Sequence, residues 1–441
     1  MKSSWQPIIG LEVHVELNTK TKMFCSCPNN HFGVKANKNT CPVCLGLPGA
    51  LPVPNQKAIE DTILISQALN CNVSKNFWFD RKNYFYPDLP KGYQISQQYS
   101  PIGKGGKVPI LINGKFENVL LDNIHLEEDT GKLIHKENQT LVDFNRSGVP
   151  LVEIVTKPCL RSGNEAKLYL QRLQQTLRWL EVSDCDMEKG SMRLEANISV
   201  AKLINGKING LPNYKVEIKN LNSFKFVEKS IAYEVDRQIE ILEKGETPKQ
   251  ETRGFNPNND STYSQRGKEI AKDYRYFPEP DIPPFEFSEN KLTEIKKRLT
   301  TPPWQIEKIW LSLAIPETWI SILIQKKPLA ILFNETIKEA GNKVEPKVIA
   351  KHLVNDPALR LKNPKEIIKQ ILSKNSQFSL SRNDIEKFVK EVLDQQPKAT
   401  SDLKSGKIQV VGFLVGQVQA KAKGKADPKL TSQIILELTQ K

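Results

Sequence analysis

Eight residues, Phe277-Pro-Glu-Pro-Asp-Ile-Pro-Pro284, separate two different patterns in this chain. Proline locks φ and carries no amide hydrogen, so this density of it can continue neither a helix nor a central strand. The segment therefore reads as a stiff linker. Ahead of it, short period-two runs are punctuated by Gly, Pro and Asn, with helical patterns near 57–69, 165–180 and 227–243. Behind it the periods are helical. The clearest puts Ile385, Phe388, Val389, Val392 and Leu393 on one face, with Ser381 or Asn383 available as the cap. The expected fold class is α+β, a body dominated by antiparallel strands followed by an all-α region.

Charge divides at nearly the same place. Lys and Arg exceed Asp and Glu by 14, but residues 1–294 carry 38 basic and 36 acidic side chains, whereas 295–441 carry 26 and 14. A polyanion, nucleic acid foremost, is the expected partner of the C-terminal third. No apolar run is long enough to span a bilayer, so no membrane role is expected. With 39% hydrophobic and 26% charged residues the chain is not of the disordered or collagen-like class. Met1–His14 has neither a signal core nor a transit-peptide composition, which points to a cytoplasmic, bacterial-type protein.

The strand Ile9–Leu17 sends Leu11, Val13, Val15 and Leu17 to one face and Glu12, His14 and Glu16 to the other. The same alternation projects Arg193, Glu195, Asn197 and Ser199 from Met192–Val200, and Glu217 and Lys219 from Val216–Lys219. Between these runs lie Ile124-His-Leu-Glu-Glu-Asp-Thr-Gly131, Asp143-Phe-Asn-Arg146 and Val152-Glu-Ile154. Adjacent Glu127, Glu128 and Asp129 repel one another unless donors or a cation lie close. Either an acidic turn in water or a Mg²⁺ and phosphate site fits them, and carboxylates with His and Asn suit Mg²⁺ better than a closed zinc site.

Cys25-Ser-Cys27 and Cys41-Pro-Val-Cys44 supply four thiolates, a set suited to one structural Zn²⁺. His31 lies within that loop but is surplus to four sulfurs. Cys71, Cys159 and Cys185 are isolated. The Asp80–Gln97 loop mixes cations with aromatics and could stack on a base or simply pack as core. Lys421, Lys423, Lys425 and Lys429 could contact a phosphate backbone or be solvated surface. There is no Walker loop and no GxSxG, so neither a P-loop nucleotide site nor a self-contained serine hydrolase is expected.

The stretches GLEVHVEL, CPVCLGLPGALPV, FDRKNYFYPDLPKGYQISQ, IHLEEDTGK, NRSGVPLVEIVTKP, VEIKNLNSF, KDYRYFPEPDIPP and GFLVGQV, in that order, resemble the B subunits of aspartyl/glutamyl-tRNA amidotransferases. That resemblance implies ATP-dependent phosphorylation of the side-chain carboxylate of Glu on tRNA(Gln) or Asp on tRNA(Asn). Ammonia from the amidase, or A, subunit then displaces the phosphate, and a small C subunit holds the pair. It further implies a catalytic cradle over 1–290 with a zinc-binding insertion, a helical linker domain over 291–375 and a tRNA-binding tail over 376–441.

On the same grounds Glu12, His14 and Glu128, with Glu217, are expected around Mg²⁺ and the ATP phosphates, and Glu127 is the weaker member of its pair. Arg193, Asn197 and Lys219 would orient the phosphoryl group. Lys82 and Lys91 would line the ammonia path with Glu128 at its mouth. The chain departs from the family at Arg193-Leu-Glu-Ala-Asn197, where Arg-Cys-Asp-Ala-Asn is common, in a shorter helical region, and at Val418 in the tail. Two other readings are an inactive tRNA-binding adaptor of the same complex, which the intact acidic residues oppose, and the related archaeal family, whose inserted domain 441 residues hardly accommodate.

Overall fold

Alternation of apolar and polar residues builds the first strand, β1 (Trp5–Glu16), in the middle of an eleven-stranded sheet. A computed structural model describes residues 4–208, 210–267, 274–376 and 380–439. Leu11, Val13, Val15 and Leu17 are each at most 2% exposed, and helices α1 (Gln56–Ala68), α2 (Gly163–Trp179) and α3 (Phe224–Glu243) contribute to the same core. Asn55, Ser162 and Ser223 cap these helices by accepting from the backbone N–H of Ala58, Glu165 and Phe226. Each such cap is worth about 1 kcal/mol.

Six further strands complete the central run: β2 (Lys115–Glu128), β3 (Pro150–Thr156), β4 (Met192–Ile204), β5 (Val216–Leu221), β6 (Glu251–Asn256) and β7 (Ser261–Gly267). Their order across the sheet is β7-β6-β5-β4-β1-β3-β2. All neighbours are antiparallel except β5 and β6. An antiparallel sheet can bury one face and leave the other for chemistry.

The proline-rich segment is part of this body and not a linker. Arg275–Pro278 pairs with Asp80–Asn83 as the edge of a three-stranded sheet, where a missing ladder N–H is tolerated. Glu279 is buried and receives two 2.8 Å hydrogen bonds from Arg81. Ile282 joins the core, and Phe285 stacks on Phe77 at 5.2 Å. Lys272 and Asp273, which open the motif, lie outside the described residues. Leu292, Ile295 and Trp304 keep the chain on the same core, so the compact units fall at Met1–Ile306 and Glu307–Lys441, where the sequence reading places boundaries after 290 and 375.

The second unit is helical throughout its described residues. Its final four helices bury Ile385, Val389, Val392, Leu414, Val418, Ile434 and Ile435 together, with Phe388 and Leu393 packed at the margin. Ser381 is the cap in front of Arg382–Gln395, and Asp384 returns the bond in a capping box. Among the described residues no helix is long and apolar enough to cross a membrane.

Candidate active site

Strand order turns isolated period-two patterns into one row of charged side chains. His14 on β1 lies opposite Arg193 on β4 and Glu153 on β3, and Glu153 lies opposite His125 on β2. Glu153 Oε2 is 3.4 Å from His14 Nε2 and 3.1 Å from His125 Nε2. Glu127 stands 3.9 Å from His14 and 3.8 Å from His125, and accepts a 3.0 Å bond from Ser96 Oγ. One ligand atom each from His14, Glu127 and Glu153 lies within 4.8 Å of the others, which is the spacing of a cation site.

Charge in this row is set by partners. Burial opposes a proton on His125, but Glu153 and Glu127 overcome it and hold the ring protonated up to about 10. The geometry agrees, because Nδ1 faces Asn123 Oδ1 at 2.9 Å while Nε2 faces a carboxylate, so both nitrogens donate. Glu153 is driven well below the ordinary carboxylate range, against its burial, by His125 and His14. The Lys82 ammonium lies 4.9 Å from the Tyr274 ring; burial opposes its charge, and Glu127 raises its pKa.

Asp129, fully buried, is pulled down to about 2, against desolvation, by Arg193 at 2.5 Å and Arg146 at 3.6 Å. Glu12 is pushed upward by burial and by Glu153 and Glu195, while its Oε1 accepts a 2.7 Å bond from Asn197. Of Glu12, Asp129 and Glu153, Glu12 is the one short of positive charge. Among the described residues the buried Asn197 Oδ1 has no hydrogen-bond partner, a further acceptor available to a cation or a donor. Glu12 and Asn197 also line a cleft of about 410 Å³ together with Gly10, Pro158, Tyr214 and Lys215.

The remaining expected residues are placed differently. Glu128 is not in the His14 cluster; it is bound by Lys91 Nζ, 2.6 Å from Oε2, and by the Ile95 N–H at 3.0 Å. Neighbouring strand residues face opposite ways, so Glu127 rather than Glu128 meets His14. Glu217 accepts from Thr252 Oγ1 at 2.8 Å and lies 3.6 Å from Lys219, away from the His14 set. Lys219 reaches Glu195 at 2.9 Å, so the longer side chain at the Arg193–Asn197 departure is held in an ion pair. Glu153 and His125 do not stand out as site residues in the sequence. Their signal, a charge at the centre of an apolar run, becomes specific only when the registers are known.

Cys25, Cys27, Cys41 and Cys44 converge with their sulfurs within 4.8 Å of one another. Cys44 Sγ accepts the Cys41 N–H at 3.1 Å, and bonds from Cys25, Cys41 and nearby Lys22 draw its pKa down to about 4 against desolvation. Four sulfurs that converge in this way suit a tetrahedral Zn²⁺, which would hold them as thiolates when bound. His31 pairs instead with Glu16 at 2.8 Å. Cys71, Cys159 and Cys185 are free and stand apart from this cluster. In the second unit Lys421 is 2.6 Å from Glu391, whereas Lys423, Lys425 and Lys429 are exposed around the turn between the last two helices.

Fold and site together define an α+β domain that carries a carboxylate and imidazole row on an antiparallel sheet, followed by a helical region. Residues 7–293 match the GatB/GatE catalytic domain, and residues 334–438 match the GatB domain. The chain is 42% identical to the aspartyl/glutamyl-tRNA(Asn/Gln) amidotransferase B subunit of Thermotoga petrophila over 482 aligned positions, covering 99% of each. The corresponding proteins of Persephonella marina and Lachnoclostridium phytofermentans are 41% and 40% identical, over 98% and 99% of this chain and 99% of each relative. The chain belongs to the B-subunit family of aspartyl/glutamyl-tRNA(Asn/Gln) amidotransferases.

Proposed function

We propose that this protein uses ATP and Mg²⁺ to phosphorylate the side-chain carboxylate of Glu-tRNA(Gln), Asp-tRNA(Asn) or both. It then amidates that carboxylate with ammonia from the amidase, or A, subunit, in a cytoplasmic complex completed by a small C subunit. The observation that carries this reading is the His14, Glu127 and Glu153 cluster beside the cleft at Glu12 and Asn197. Phosphoryl transfer asks a protein for positioning and charge neutralisation more than for covalent chemistry.

His14, Glu127 and Glu153 would hold the cation, which neutralises phosphate charge when bound. Glu12 and Asn197 would mark the nucleotide side, with Arg193 and Lys219 supplying positive charge along the same face. Lys91 and Glu128 would gate ammonia near Lys82, where buried charges favour passage of the neutral molecule and exclude water from the acyl phosphate.

The test is ATP hydrolysis by the reconstituted complex with each mischarged tRNA; turnover indifferent to tRNA removes the proposal. Removing the helical unit 307–441 should weaken tRNA binding at least tenfold, with a reduced salt slope, because Lys423, Lys425 and Lys429 go with it. Filter binding across a salt series checks this, and unchanged affinity would place the contact elsewhere. Metal analysis of protein purified without chelator should find about one zinc per chain. Cys25→Ser combined with Cys44→Ser should lose it, and full zinc occupancy in that variant would end the zinc assignment.

A further inference from the structure

Lys22 has no exposed surface, although a lysine is almost never fully buried without a counter-charge. Its ammonium donates to the Asn39 carbonyl at 2.7 Å, the Phe144 carbonyl at 3.2 Å and Cys44 Sγ at 3.6 Å. Two neutral carbonyls satisfy hydrogen bonds but do not balance a charge. Among the described residues no carboxylate is paired with it, which leaves the four-sulfur cluster as its anionic neighbour.

A zinc ion held by four thiolates carries two net negative charges, so the buried ammonium complements the partly buried cluster on the side of Cys44. We infer that Lys22 is the positioning counter-cation of the cysteine cluster, balancing its charge on the buried Cys44 side and helping to fasten it to the turn that launches β3. This rests on the zinc reading above.

The fastening is specific. Lys22 bonds Phe144, Asn145 Oδ1 accepts from the Asn39 N–H at 2.8 Å, and Ser147 Oγ donates to the Cys44 carbonyl at 3.0 Å. The turn carrying these residues runs directly into Pro150–Thr156, the strand of Glu153. Zinc occupancy and the setting of Glu153 are thereby joined through the buried ammonium together with the Asn39–Asn145 and Ser147–Cys44 bonds.

The experiment compares zinc release from full-length wild type, Lys22→Met and Lys22→Gln to a chromogenic chelator in excess, together with thermal melting of zinc-loaded and zinc-stripped protein. Zinc should leave both variants at least tenfold faster. The variants should lose more melting temperature when loaded than when stripped, because stripping leaves the ammonium only the Cys44 thiolate to face in place of the doubly negative zinc cluster. Amide exchange over 143–155 should rise in the loaded variants. Lys22→Gln keeps an N–H donor, one bond shorter, without the charge, so wild-type zinc retention in it overturns the inference, as does an equal loss of stability in loaded and stripped forms. Should Lys22→Met fail to fold, Lys22→Gln decides alone. Wild type that binds no zinc at all would instead overturn the zinc reading itself.

Discussion

Glu153→Gln should lower tRNA-dependent ATP hydrolysis by roughly a hundredfold or more, while glutamine hydrolysis by the assembled complex continues. The substitution keeps the side chain's shape and removes one charge. Glu153 lies 3.4 Å from His14 and 3.1 Å from His125 on the flanking strands, nearer to both rings than Glu127. Without its charge, His125 loses the first of the two carboxylates that hold its proton against burial. A cation at His14 and Glu127 would lose one ligand. The loss should be partly recovered at high Mg²⁺, which a purely structural defect would not show. Turnover within twofold of wild type would remove Glu153 from the site. Activity in the wild-type complex would also dispose of the reading of this chain as an inactive adaptor.

Lys91→Met should lower stability by about 3–5 kcal/mol, because it strands a buried carboxylate. The Glu128 side chain is 3% exposed and Lys91 is its principal cation. Glu128 keeps the Ile95 N–H, which is too little to hold an unpaired charge away from water. Adding Glu128→Gln to Lys91→Met should recover most of the loss, since a neutral amide needs no counter-ion. Denaturant titration of the single and double variants provides the cycle. If the two single losses simply add, the pair is not coupled and the gate loses its physical basis. In the complex, Lys91→Met should slow amidation from glutamine more than ATP hydrolysis, separating a fault in ammonia delivery from a fault in phosphorylation.

Much of the architecture is readable from local pattern. Alternation in Ile9–Leu17 assigns Leu11, Val13, Val15 and Leu17 to the core and Glu12 and His14 to the opposite face, and the helical period of 385–393 likewise marks the buried stripe. These are properties of a single element, set by backbone periodicity. The proline-rich segment reads locally as a linker because local rules say where ladder bonds are missing, but not that an edge position makes their absence harmless. Arg81 and the buried Glu279, 198 positions apart, are what bind that segment to the body.

The sequence by itself determined which side chains each strand would offer to the open face, that four cysteines form one cluster, and that basic charge concentrates in the helical third. The tertiary structure decided which of those side chains meet. Glu153 stands at the centre of the charged row because β3 lies between β1 and β2, so that His14 and His125 flank it in register. Glu127 joined them and Glu128 turned to Lys91 because consecutive strand residues face opposite sides of a sheet. Periodicity acts over a few residues and is written in the chain. Register joins segments that are distant in the chain, His125 with Glu153 and Glu153 with His14, and is set by how the whole core packs.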